Sequence, residues 1–112
     1  MLLDLELKQD TLFIRPGGEL DLGVAATLRN ALDQALDRDP VRNLVFNLSR
    51  VSFIDSSGLG VLLGRYKRVS QNGGKVLIVS PQPQVRRILE LSGLLQIMDE
   101  SSSEPEALAK IG

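Results

Sequence analysis

An α/β layer fold is what this sequence predicts, and three observations predict it. Two apolar runs of strand length, Leu44-Val45-Phe46-Asn47-Leu48 and Val76-Leu77-Ile78-Val79, show no alternation, as strands covered on both faces do. Each is followed by a segment whose apolar residues recur at three and four, the spacing of one helix face. A pair of short strands opens the chain, so the order is a hairpin and then helices and strands in turn. A small mixed sheet packed with about four helices follows, its crossovers right-handed. At 112 residues and 43% hydrophobic content, the chain can build one core, a single domain over 1–112.

The elements follow in order. Residues 2–8 set Leu3, Leu5 and Leu7 against Asp4, Glu6 and Lys8, the alternation of a half-exposed edge strand. Gln9-Asp10 turns the chain into a second strand, Thr11 to Arg15, which Pro16-Gly17-Gly18 stops or bulges. Val24, Ala25, Leu28, Leu32, Ala35 and Leu36 form the apolar face of a helix running to about Arg38. Asp21 is its expected cap and Asp39-Pro40 closes it. A strand at about 43–48 leads to a serine-rich stretch and a second helix reaching about Gln71, with Leu59, Leu62, Leu63, Tyr66 and Val69 on one face. Asn72-Gly73-Gly74 ends that helix with residues suited to positive φ, and 75–79 is the next strand. Ser80-Pro81-Gln82-Pro83 opens a third helix, Ser80 serving as a cap, with Val85, Ile88 and Leu89 inward and Gly93 at its end. Leu95-Gln96-Ile97-Met98 reads as a last short strand and Pro105 to Ile111 as a short closing helix.

Composition removes whole classes of function. The formal net charge is −1, with 13 Lys and Arg against 14 Asp and Glu, so neither nucleic acid nor an anionic membrane is the expected partner. Cysteine is absent, which excludes disulfides and thiolate chemistry. Histidine is absent too, and with it the commonest general base and zinc ligand. No apolar run has transmembrane length, and Met1-Leu2-Leu3-Asp4-Leu5-Glu6 lacks the basic start of a signal peptide. A cytoplasmic chain without a cofactor, and not an enzyme, is the expectation.

The stretch that carries chemistry is Asp55-Ser56-Ser57-Gly58-Leu59-Gly60, at the start of the second helix. Short oxygen-bearing side chains there accept hydrogen bonds from unpaired N–H groups, so one of Asp55, Ser56 or Ser57 caps the helix. Two serines and an aspartate exceed what one cap requires. A spare hydroxyl at a helix N-terminus is well placed to carry a phosphate, since the helix dipole and free N–H groups favour the added charge. Gly58, Gly60 and Gly64 interrupt a helix, where glycine is costly, for close packing or for access to the serines. The G-x-G lacks the third glycine of a dinucleotide fingerprint and the Gly-Lys-Ser of a P-loop, so a nucleotide site has little support. Neither serine sits in S-x-x-K or G-x-S-x-G, and no histidine exists to activate it, which disfavours a hydrolase. Glu19 and Asp21 are further acidic contacts if Asp21 does more than cap. Arg65, Lys67 and Arg68 form a basic group, solvated or in salt-sensitive contact with a partner. Ser80-Pro81 is a second phosphorylatable site in principle.

These residues resemble those of STAS domains, and within that family the bacterial anti-anti-sigma factors, most of all the sporulation sigma-F antagonists. The resemblance rests on Gly18-Glu19-Leu20-Asp21 and on Phe53-x-Asp55-Ser56-Ser57-Gly58-Leu59-Gly60-Val61-x-Leu63-Gly64-Arg65-Tyr66-Lys67. Gly73-Gly74, Ser80-Pro81 and Ser92-Gly93-Leu94 extend it over nearly the whole chain. It implies a phospho-switched binding module. Ser56 is then the phosphoacceptor of a partner that is both anti-sigma factor and ATP-dependent serine kinase. Asp21, Asp55, Ser56, Ser57, Gly58, Leu59 and Gly60 form the partner-binding surface, and a serine phosphatase resets it. One departure is Leu22-Gly23-Val24 after Asp21, where sporulation members carry polar residues. A charge near −2 within about 6 Å of one carboxylate costs several kcal/mol at an effective dielectric near 20, enough for a switch without refolding. Other roles remain open: antagonism in a stress cascade, a scaffold subunit, or a nucleotide-binding α/β protein.

Overall fold

Six strands and four α-helices make up the computed structural model, which describes residues 1–112. The strands are β1 (Leu2–Lys8), β2 (Thr11–Leu20), β3 (Asn43–Asn47), β4 (Val51–Ile54), β5 (Val76–Val79) and β6 (Asp99–Ser101). The helices are α1 (Leu22–Arg38), α2 (Ser56–Ser70), α3 (Pro83–Leu91) and α4 (Glu104–Ile111), with a 3-10 turn at Leu94–Gln96. The sheet runs β1-β2-β3-β5-β6; β1 and β2 form the antiparallel hairpin and the other pairings are parallel.

The unbroken apolar strands do lie between two layers. Leu12, Ile14, Leu44, Phe46, Val76 and Ile78 face a cluster of 21 buried residues shared with α1, α2 and α3. Phe13, Val45, Leu77 and Val79 point the other way, against Ala107 of α4 and the half-buried Ile111. On α1, Ala25, Leu28, Leu32 and Ala35 are buried, and each fully covered leucine contributes roughly 1.5–3 kcal/mol.

Two local expectations need correction, and one open alternative is resolved. Pro16-Gly17-Gly18 bulges the second strand rather than stopping it. Gly18 takes a φ of 95°, the register shifts between Gly18 and Glu19, and β2 continues to Leu20. That continuation pairs with β4, which sequence reading merged into the serine stretch. β4 was hidden because only Val51 and Ile54 are buried while Ser52 and Phe53 are exposed. Leu95 to Met98 is not a strand: after Gly93 at φ 86°, the chain makes the 3-10 turn and Met98 is buried. The true edge strand is the polar Asp99-Glu100-Ser101, which apolar patterning cannot find. Ser80 is not the cap of α3 either. It sits at φ 50° and its hydroxyl donates to the Ser102 carbonyl at 2.6 Å, while Gln82 occupies the cap position.

The β2–β4 pairing sets the site. Because Leu20 and Ile54 end neighbouring strands, α1 and α2 begin side by side at the same end of the sheet.

Candidate functional site

Asp55 ties the two helix starts together. Its Oδ1 accepts from the backbone N–H groups of Ser57 at 2.9 Å and Gly58 at 3.2 Å, which caps α2. Its Oδ2 accepts from Leu22 N–H of α1 at 3.2 Å. One carboxylate therefore satisfies donors that neither helix can pair internally. Asp21 holds the cap position of α1 but makes no side-chain cap bond, contrary to expectation; the N–H of Leu22 goes to Asp55 instead. The Asp21 carboxylate stays half-buried beside the Cα of Gly23.

With Asp55 as the cap, both serine hydroxyls are spare. Ser56 is exposed and Ser57 half-buried, and both line a groove of about 510 Å³ between α1 and α2. Leu22, Ala25, Ala26 and Arg29 form its α1 wall; Ser56, Ser57, Gly60 and Val61 form its α2 wall. Leu22 is 76% exposed and Phe53, opposite Glu19 in the β2–β4 pair, is 43% exposed, so apolar surface flanks the serines. Glu19 is itself exposed.

The three glycines differ. A Cβ on Gly58 would collide with the Leu20 carbonyl oxygen and lie 2.8 Å from Ile54 Cγ1, so this glycine lets α2 seat against the strand ends. Gly60 and Gly64 have nothing within 4 Å of a Cβ position. Close packing explains Gly58; an open surface explains Gly60. Leu59 is half-buried and packs partly on the core.

Of the residues singled out in the sequence, Ser56, Ser57 and Gly60 line the groove, and Asp21 and Asp55 hold the cap positions of the two helices beside it. Sequence reasoning missed the α1 wall, although Leu22, Ala25, Ala26 and Arg29 recur at three and four as one helical stripe. The basic group on α2 is mostly engaged: Arg65 meets Asp33 at 3.3 Å, and Arg68 meets Asp37 at 2.6 Å and Asp33 at 3.6 Å. Only Lys67 of the three stays exposed. No group of three or more acidic side chains is arranged to hold a metal ion.

Comparison with known proteins agrees with this geometry. Residues 3–107 match the family model described as STAS domain. The chain is 38% identical over 109 residues to a Paenibacillus polymyxa protein named anti-sigma F factor antagonist, covering 97% of this chain and 93% of that one. It is 33% identical over 85 residues to a Staphylococcus aureus protein named anti-sigma-B factor antagonist, covering 76% and 78%. Among solved structures it is similar to the anti-sigma factor antagonist SpoIIAA in its unphosphorylated form, with a TM-score of 0.86, 32% identity and coverage of 98% and 96%. The Bacillus SpoIIAA in its phosphorylated form is similar as well, with a TM-score of 0.78, 31% identity and coverage of 99% and 100%.

Proposed function

The chain belongs to the STAS-domain family, and from that premise we propose that it is an anti-sigma factor antagonist switched by phosphorylation of Ser56. The observation that carries this reading is the division of labour at the start of α2. Asp55 does the capping, which leaves the exposed Ser56 hydroxyl free on the lip of the groove. The relatives' names and the two SpoIIAA forms support the same role.

In the unphosphorylated form, Asp21, Asp55, Ser56, Ser57, Gly60 and the outer edge of Leu59 meet an anti-sigma factor, which releases its sigma factor. Gly58 acts beneath them by letting the helix start sit close to Leu20. The partner is also a serine kinase. Ser56 Oγ forms a bond to the γ-phosphorus of ATP, the bond to the bridging oxygen breaks, ADP leaves, and the hydroxyl proton passes to a base of the partner. The product carries about −1.5 to −2 charges where contact had formed. Against the nucleotide phosphates of a partly desolvated interface, that charge weakens binding by orders of magnitude. A serine phosphatase restores the hydroxyl by hydrolysis.

Intact mass after incubation with ATP and the organism's anti-sigma kinase tests this. Wild type should gain one phosphoryl group and Ser56→Ala none; equal gain by both would remove Ser56 from the account. A second reading, antagonism in a sigma-B-type stress cascade, is favoured by the Staphylococcus aureus relative. Pull-down against both classes of anti-sigma factor separates the two.

A further inference from the structure

Arg29 is the only cationic residue among the eight that line the groove. Of the cations on α2, Arg65 and Arg68 pair with Asp33 and Asp37, and the exposed Lys67 does not line the groove. Arg29 itself is exposed and takes part in none of the ion pairs or side-chain hydrogen bonds of the fold. It lies about two turns below the start of α1 and lines the same groove as Ser56, and the lean of helical side chains toward the N-terminus favours a guanidinium that reaches back toward Ser56. Ala25 and Ala26 on one wall and Gly60 on the other leave that path without bulk.

We propose that Arg29 clasps the phosphoryl group on Ser56 across this groove, so that phosphorylation closes the docking surface from within as well as charging it. The inference rests on Ser56 as the phosphoacceptor. A guanidinium presents a planar fork of donors matched to phosphate oxygens, and a paired phosphate would span the space between Ala26 and Gly60. The same contact explains how the fold tolerates the new charge beside acidic neighbours. Asp55 on the α2 cap, Asp21 on the α1 cap and Glu19 at the end of β2 all oppose it. Against them stand the helix dipoles and Arg29. Gln82 at the cap of α3 and Gln84 within it, which donate to the Ser49 and Ser52 carbonyls, add no charge.

The test uses the 112-residue chain with phosphoserine installed at position 56 during translation, so it does not depend on which kinase acts. Phosphorus NMR titration reads the second ionisation of the phosphate, ordinarily near pH 6. Relative to Arg29→Ala, the wild-type phosphoprotein should titrate lower by about half a pH unit or more, roughly a threefold change in proton affinity. Arg29→Lys should fall between, keeping the charge but not the fork. The Arg29 Nε–H signal should move on phosphorylation of wild type. Matching titrations of wild type and Arg29→Ala, with both folded by circular dichroism, would overturn the clasp and leave the Ser56 switch standing. Failure of the kinase to modify Ser56 in the mass experiment would instead remove the premise.

Discussion

At the scale of single residues, the site depends on Asp55 and on a contrast between two glycines. Asp55 satisfies three backbone donors on two helices. Asp55→Ala should therefore cost about 1–2 kcal/mol in urea denaturation, the upper part of the range for losing a cap. Asp55→Asn should lose less, because an amide oxygen still accepts. Gly58→Ala forces a methyl group against Leu20 and Ile54 and should destabilise by about 1–3 kcal/mol. Gly60→Ala meets open space and replaces a poor helix former, so it should stabilise the fold by up to about 1 kcal/mol. It should nonetheless weaken partner binding, since Gly60 lines the groove. The sequence made a cap plus a spare serine legible, because D-S-S-G offers more acceptors than one helix start uses. It did not say which residue caps, nor that Asp55 also serves α1; that bond joins residues 33 apart in the chain and depends on β4.

At the scale of elements, α1 and α2 are held parallel by buried apolar faces and by Asp33, Asp37, Arg65 and Arg68 between them. On the other face, α4 is fixed by an ion pair. Arg15 donates to Glu104 at 2.8 and 2.9 Å, and the Asn47 amide donates to it at 2.8 Å. The Arg15 guanidinium, aided by Asn47 and opposed by burial, holds the Glu104 carboxyl at about 2 rather than 4.5. A depressed carboxyl stabilises the fold fully above its unfolded value and loses that contribution as pH falls through the folded one. Screening in this surface-edge pair reduces the effect to on the order of 1–2 kcal/mol. Between pH 7 and pH 3, wild type should thus lose more stability than Glu104→Gln, measured by denaturant midpoints at each pH. Equal losses would show that the pair contributes nothing. Long periodic helices and doubly covered strands were readable in advance because burial dictates their residues. β4 and β6 were not: β4 is half-exposed and β6 is a polar edge, so hydrophobic pattern carries no trace of either.

At the scale of the whole molecule, the sheet carries a buried cluster on each face, and the candidate site lies at one end, where α1 and α2 start together. No helix is long and apolar enough to cross a membrane. A phosphate on Ser56 projects from an exposed position and displaces no core residue, so far-UV circular dichroism of the phosphorylated and free forms should coincide. On the proposed reading, the switch is a change of surface on a constant fold. Its most direct test is a calorimetric binding isotherm of the organism's anti-sigma factor against the unphosphorylated chain and the chain phosphorylated at Ser56. The account predicts an affinity at least about 100-fold weaker for the phosphorylated form, some 2.7 kcal/mol, with both forms folded alike. Affinities equal within about twofold, well under 1 kcal/mol, would contradict it.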